Sequence, residues 1–246
     1  MTGVDRHEYE KRIEENSRKQ LELNAGLNPN FGRRVYADEA ESLINDAYGF
    51  KNSFERYMSV DSQGKPIPWM TYSAVFYLSQ LDLSTYDIFE WGSGNSTLYF
   101  SERVQTVTSV ESNEEWFKYV ERNKPKNVEL RLVQQNDYAK IISEKGNKYK
   151  IISIDGDIYR RFECALYAME HLDEGGMIIL DNSDWLPNTT GLFREKGFTQ
   201  IDFAGLGPIN NYTWCTSIFF KADFDVKNLN IKQPNFLAGG LRNERD

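Results

Sequence analysis

Cysteine is scarce: Cys164 and Cys215 are the only two in a chain of 246 residues. Two thiols cannot build a disulfide framework or a cysteine metal cluster. Both lie in apolar runs, where a free cysteine behaves as a small buried hydrophobe. Histidine offers little more. His7 sits in a charged N-terminal stretch, and His171 ends a helical pattern just before Gly175-Gly176, where a cation suits the helix dipole. No apolar run is long enough to span a bilayer, so no membrane span is expected. The first residues, Met1 to His7, lack the apolar core of a secretory signal. Basic residues are outnumbered, with Lys+Arg at 29 against Asp+Glu at 37 and a formal charge of −8, which excludes a general nucleic-acid binder. These absences leave a cytoplasmic protein whose partner is a small molecule.

What is present is a large core and a regular alternation. Hydrophobic residues make up 40% and aromatics 14%, enough for one domain with an appendage. Residues 1–35 are highly charged, with a solvated helix at 8–15 and too narrow an apolar stripe to bury much alone. This arm is read as loosely held or as packing on another subunit in a homo-oligomer. From 37 to 60, Leu43, Ile44, Ala47, Phe50 and Phe54 recur at helical spacing. The expected division is an arm and cap at 1–64, a main domain at 65–221 and a polar tail at 222–246. After a buried helix at 72–78, strands are expected at 87–91, 105–111, 128–133, 149–155 and 176–181. Helices are expected between them at 96–102, 113–122, 137–145 and 160–172. Such alternation implies βαβ units and a mostly parallel sheet with helices on both faces. Strands at 198–204 and 213–220, joined by a Gly-rich loop, can end the sheet as an antiparallel hairpin.

The strand ends carry the chemistry, because open α/β sheets bind ligands there. Strand one runs through Glu90 into Trp91-Gly92-Ser93-Gly94-Asn95-Ser96-Thr97, a glycine turn that opens a helix and lets backbone approach a ligand. Strand two ends at Glu111, about twenty residues beyond the turn, where a carboxylate can take both hydroxyls of a ribose. Asn136-Asp137 follow strand three, Asp155-Gly156-Asp157 strand four and Asp181-Asn182 strand five. Any one of these can be a helix N-cap; five in register point to a site. Glu90 beside the turn, and Thr97 where a third glycine would stand, weaken a dinucleotide reading and favour a cationic or zwitterionic nucleoside.

The chain resembles the class I S-adenosylmethionine-dependent methyltransferases over roughly residues 65–221. The resemblance rests on Phe89-Glu90-Trp91-Gly92-Ser93-Gly94, on Glu111, and on Leu172-Asp173-Glu174-Gly175-Gly176-Met177. It implies a seven-stranded Rossmann-like sheet of order 3-2-1-4-5-7-6 with strand seven antiparallel. It also implies S-adenosylmethionine against Gly92, Ser93, Gly94, Asn95 and Ser96, with Glu90 and Asp155 near its amino acid part. By the same resemblance Glu111 holds the ribose, and Asn136 and Asp137 lie by the adenine; Trp69, Thr71 and Tyr72 read either as a cover over the cofactor or as core. The wording at 68–72 and 205–210 is similar to a bacterial branch associated with surface-polysaccharide modification, which implies O-methylation of a sugar, nucleotide-sugar or phosphorylated precursor. A second likeness, to catechol-type O-methyltransferases, implies Mg²⁺ on Asp155, Asp181 and Asn182, a hard oxygen ligand set; the rival is Asp155 or Asp181 acting directly as general base. Arg160 and Arg161 read either as a solvated helix face or as a clamp on an acceptor phosphate or carboxylate. Tyr212 and Trp214 read as an acceptor wall or as edge packing. Two other classes stay open: a nicotinamide-dependent oxidoreductase, and a non-catalytic binding protein that keeps the fold.

Overall fold

The computed structural model describes residues 39–134, 137–230, 234–235 and 237–239, together with Lys11, Glu15 and Arg18, which are helical and exposed. The rest of the expected N-terminal arm lies outside the described residues, as does Asn136.

Apolar side chains that alternate along a strand sort to opposite faces of a sheet. In β1 (Asp87–Trp91), Phe89 and Trp91 join one core and Ile88 the other. In β5 (Leu172–Leu180), Ile178 and Leu180 oppose Met177 and Ile179 in the same way. Strands buried on both faces need helices on both faces. The first core is covered by α5 (Arg161–His171), whose small Cys164, Ala165 and Ala168 let it lie close, and by Phe193 of α6 (Pro187–Glu195). The second is covered by Ala74 and Leu78 of α2 (Tyr72–Leu78) and by Tyr99 and Phe100 of α3 (Asn95–Ser101). Each fully buried Ile, Leu or Phe contributes roughly 1.5–3 kcal/mol of transfer free energy.

The remaining strands are β2 (Thr106–Glu111), β3 (Val128–Leu132), β4 (Tyr149–Ile154), β6 (Thr199–Gly205) and β7 (Trp214–Phe220). Seven strands form one sheet in the order β3-β2-β1-β4-β5-β7-β6. Pairs from β3 to β5 are parallel, and β7 runs antiparallel to both β5 and β6. The expected strand order and hairpin are therefore present. No helix among the described residues is long and apolar enough to cross a membrane.

Three local expectations are corrected. The helical stretch at 37–60 is a π-helical turn at Leu43–Ala47 and a short α1 (Phe50–Arg56), separated by Gly49 at φ 77°. A Cβ on Gly49 would lie 2.3 Å from the Asp61 carbonyl carbon, so the break is built in. The expected helix at 137–145 is mainly a 3₁₀ turn at Lys140–Ser143 that buries Ile141 and Ile142. Strand β5 starts at Leu172 because Tyr149 pairs with Leu172 and Ile151 with Met177, leaving a bulge around Asp173-Glu174-Gly175-Gly176. The polar tail is also partly anchored: Asp82 N–H donates to the Lys227 carbonyl and Leu229 N–H to the Gln80 carbonyl, both at 2.8 Å, and Val226 is buried.

Candidate active site

Strand order reverses between β1 and β4, the switch point at which α/β sheets open a crevice. Here the turn after β1 meets the turn after β4. A Cβ on Gly92, which stands at φ 94°, would lie 2.9 Å from the Gly156 nitrogen; one on Gly156 would lie 1.8 Å from the Tyr138 hydroxyl. Only glycine at both positions lets the two turns close. Above them is a cleft of about 440 Å³ lined by the 92–96 turn, Glu111 and Trp116 on one side. Asp155, Gly156, Asp157, Arg161, Asp181 and Asn182 line the other.

Glu90 lies beneath the turn. It is 1% exposed, and Thr97 and Ser96 hydroxyls donate to its two oxygens, the latter at 3.1 Å. Thr97 Oγ1 in turn accepts from Gly94 N–H at 3.0 Å. The threonine that replaces a third glycine thus ties the turn to the strand-end acid. Burial pushes the Glu90 carboxyl up to about 7, against hydroxyl hydrogen bonds that hold it down. The unfolded chain ionises this group near 4.5, so the folded state holds a proton that the unfolded state releases between about 4.5 and 7. Stability from this group is full below that window and falls as pH rises through it. Glu90→Gln is expected to remove a pH-dependent loss of about 3 kcal/mol, read as a flatter denaturation midpoint from pH 4 to 8 than in the wild type. Parallel profiles for the two proteins would contradict it.

Glu111 is saturated by local donors. Its Oε2 accepts from Ser93 N–H and Ser93 Oγ at 2.9 Å each, and its Oε1 from Ser112 N–H and Asn113 N–H at 2.8 Å each. Both oxygens are aimed by backbone, and the Ser93 hydroxyl is the one donor free to rotate away for a ligand hydroxyl.

Arg161 organises the opposite wall. It is 5% exposed and spends all five N–H donors inside the protein. Nε–H donates to the Gly156 carbonyl at 3.1 Å; one terminal nitrogen reaches the Asp181 carbonyl at 2.6 Å and Asn182 Oδ1 at 3.1 Å; the other reaches the Asp155 carbonyl at 3.0 Å and Asp155 Oδ1 at 3.1 Å. One guanidinium therefore pins the ends of β4 and β5 together. Asp181, 3% exposed, accepts at Oδ1 from Trp214 Nε1–H at 3.0 Å and from Thr216 Oγ1 at 2.5 Å. Burial raises its carboxyl to about 6, opposed by Thr216, Arg161 and Trp214. Asp155 is held well above the usual carboxylate range by burial and then by the charge of Asp181. Asn182 stands at φ 50°, a left-handed conformation that asparagine tolerates.

These contacts do not fit the expected Mg²⁺ site. Asp155 Oδ1 and Asn182 Oδ1 already serve the guanidinium and Asp181 Oδ1 two fixed donors, and a second cation there would face the charge of Arg161. Among the described residues no group of three His, Cys, Asp or Glu side chains could hold a metal ion. Arg161 likewise has no donor left for an acceptor phosphate. Arg160 does not line the cleft and pairs with Glu163 at 3.0 Å on the helix surface.

Of the other expected residues, Gly92, Ser93, Gly94, Asn95, Ser96, Trp69, Tyr212 and Trp214 line the cleft. Thr71 and Tyr72 do not. Thr71 is a structural clasp, its N–H donating to Thr216 Oγ1 at 3.1 Å and its hydroxyl to the Phe203 carbonyl at 2.8 Å. Tyr72 packs on Tyr48 with ring centroids 4.9 Å apart, and burial raises its hydroxyl. Asp137 is exposed and pairs with Lys140 at 2.8 Å, away from the cleft lining. Residues not anticipated are Ser59, Trp116 and Asn210. Trp116 was findable: it stands three residues, about one helical turn, beyond the Asn113 cap, which accepts from its N–H at 3.0 Å and places the indole beside Gly94. Four of the five tryptophans line this one cleft, and the fifth, Trp91, lies beneath it donating to the Tyr138 carbonyl at 2.9 Å.

No protein-family model matches the sequence, and no curated protein matches it. Solved structures do. Precorrin-6y C5,15-methyltransferase from Geobacter metallireducens is 14% identical with a TM-score of 0.50, covering 69% of this chain and 96% of that one. The O-methyltransferase TomG from Streptomyces achromogenes, involved in tomaymycin synthesis and solved with SAM, is 13% identical with a TM-score of 0.49, covering 73% and 90%. An O-methyltransferase from Bacillus cereus, solved with SAH, is 21% identical with a TM-score of 0.44, covering 55% and 74%. At such identities the likeness to the first is one of fold: the chain has the Rossmann-like sheet found in that methyltransferase.

Proposed function

We propose that this chain is an S-adenosylmethionine-dependent methyltransferase acting on an oxygen of a small polar acceptor. The observation that carries the reading is the convergence, at the switch point of this sheet, of a side-chain-free glycine turn, a backbone-aimed Glu111 and the Asp155–Asp181 pair. A carboxylate-lined cleft suits a cationic ligand and opposes a pyrophosphate, which disfavours a nicotinamide dinucleotide. Asn95, on the cleft lining, is fixed by its Nδ2 donating to the Ser59 carbonyl at 2.7 Å.

In this reading Glu111 takes the ribose hydroxyls, Trp116 offers a ring face to the adenine, and Gly92, Gly94 and Asn95 take the amino acid part, with Asp155 nearby. Glu90 acts from beneath by holding the turn. Trp69 closes the rim, and Asn182, Tyr212 and Trp214 face the acceptor. Bound S-adenosylmethionine supplies a methyl group activated by its sulfonium. The protein supplies orientation and a base: Asp181, ionised above pH of about 6, takes the acceptor proton. The division into an arm and cap, a catalytic domain and a tail belongs to the same proposal.

Calorimetric titration with S-adenosylhomocysteine tests the assignment of Glu111. Glu111→Ala is expected to weaken binding by about tenfold or more, since a charge-assisted hydrogen bond is worth roughly 1.5–3 kcal/mol. Unchanged affinity would remove Glu111 from the cofactor site.

A further inference from the structure

The loop that leads into β7 holds a β-branched residue in a left-handed backbone conformation. Ile209 stands at φ 72°, where a branched Cβ crowds its own backbone. Asn210 N–H donates to the Pro208 carbonyl, two residues back, at 2.8 Å. Pro208-Ile209-Asn210 is therefore a γ-turn of the rare, strained hand. Three contacts hold it there. Tyr72 N–H donates to the Leu206 carbonyl at 2.9 Å. Gly207 is wedged so tightly that a Cβ would lie 2.3 Å from the Trp214 ring and 2.5 Å from the Met70 carbonyl. Ile209 itself is 5% exposed, and its burial offsets the strain.

Strain of this kind persists only where the surroundings over-determine it, and it gathers at ligand sites. Here the chain leaves the turn directly onto the cleft. Asn210 and Tyr212 both line it, and Trp214 just beyond donates to Asp181 Oδ1 at 3.0 Å. An asparagine at 209 would sit in this conformation with less strain; the sequence places its asparagine one residue later, on the cleft wall. Resting on the methyltransferase reading, we infer that Asn210 is a specificity-determining residue for the acceptor, and that Ile209 is the residue that positions it. A carboxamide offers donors and an acceptor side by side. Its complement is a group that gives and takes a hydrogen bond, a hydroxyl or an amide, next to the oxygen that receives the methyl group. A relaxed turn would let the carboxamide swing, and a loosely held recognition group loses its grip on the ligand.

The test joins thermal unfolding to methyl transfer from radiolabelled S-adenosylmethionine, with methyl glucoside, N-acetylglucosamine, glucose phosphate and catechol as acceptors. Ile209→Gly and Ile209→Ala delete nearly the same side chain, and at an ordinary position the glycine is the less stable choice. At φ 72° the order is expected to invert, with Ile209→Gly melting about 2–4 °C above Ile209→Ala. Asn210→Ala and Ile209→Gly are each expected to raise KM for the best acceptor about tenfold, with kcat within about threefold. S-Adenosylhomocysteine affinity, measured calorimetrically, should stay within a factor of about two in both. Ile209→Ala melting as high as Ile209→Gly would overturn the inference, as would an unaltered KM in either variant. Binding of S-adenosylhomocysteine by a wild type that methylates none of the four acceptors would overturn it while sparing the cofactor assignment. Failure to bind S-adenosylhomocysteine would remove both.

Discussion

Asp181→Asn is expected to lower turnover by about 10²–10⁴-fold while leaving cofactor affinity within a factor of about two. The substitution keeps the shape and retains an oxygen for the Trp214 and Thr216 donors, so the fold has little reason to change. What it removes is the proton acceptor. A carboxyl raised to about 6 by burial is ionised at neutral pH and basic enough to assist an attacking hydroxyl. In the wild type, kcat should therefore rise with pH through about 6 and level off, as the ionised fraction does. The Asn variant should lose that limb along with the rate. Because the charge of Asp181 in turn raises Asp155, the limb belongs to the pair. Asp155→Asn, measured alongside, shows which member takes the proton. Turnover of Asp181→Asn within about threefold of the wild type, with its pH limb intact, would contradict the assignment of the base.

Arg161→Met is expected to cost about 3–5 kcal/mol of folding stability, because it leaves buried partners of a guanidinium uncompensated. Five hydrogen bonds to the turns after β4 and β5 disappear together, and Asp155 and Asp181 lose the one cation between them. For a chain of this size that corresponds to a Tm lower by roughly 10 °C or more. Methionine keeps the length of the side chain and fills most of its volume, so the effect reports the charge and its donors. An acceptor-clamping arginine would behave otherwise, raising the acceptor KM at unchanged Tm. Thermal unfolding followed by calorimetry separates the two, and a Tm within about 2 °C of the wild type would refute the structural role.

The sheet was legible because its strands are short, apolar and end in polar turns; β1, β2, β4 and β7 begin and end within a residue of expectation. Helix α6 was not. It opens Pro187-Asn188-Thr189-Thr190-Gly191, residues of low helical propensity, and forms with Pro at its start while Phe193 is driven into the core. The expected helix at 137–145 shortens to a 3₁₀ turn that buries the adjacent Ile141 and Ile142. In the site, the acids at the ends of β1, β2, β4 and β5 could be read because each stands at a strand end. Which oxygen each uses could not, since Ser93, Thr97, Trp214 and Thr216 reach them from other elements. Arg161 shows the same limit. Next to a strand-end acid, an arginine suits an external phosphate as well as it suits three carbonyls and two side chains of its own protein. Only its five internal acceptors decide the matter: they leave no donor for a clamp and set a guanidinium against the expected metal. Ser59, from the segment between α1 and α2, joins the cleft through folding alone.

The measurement that bears most directly on the central claim is a calorimetric titration of the full chain with S-adenosylhomocysteine, with NAD as the control ligand. The account predicts saturable binding of S-adenosylhomocysteine at micromolar concentration and none of NAD. Binding of NAD without S-adenosylhomocysteine would contradict it, and would return the cleft between β1 and β4 to a nicotinamide-dependent oxidoreductase.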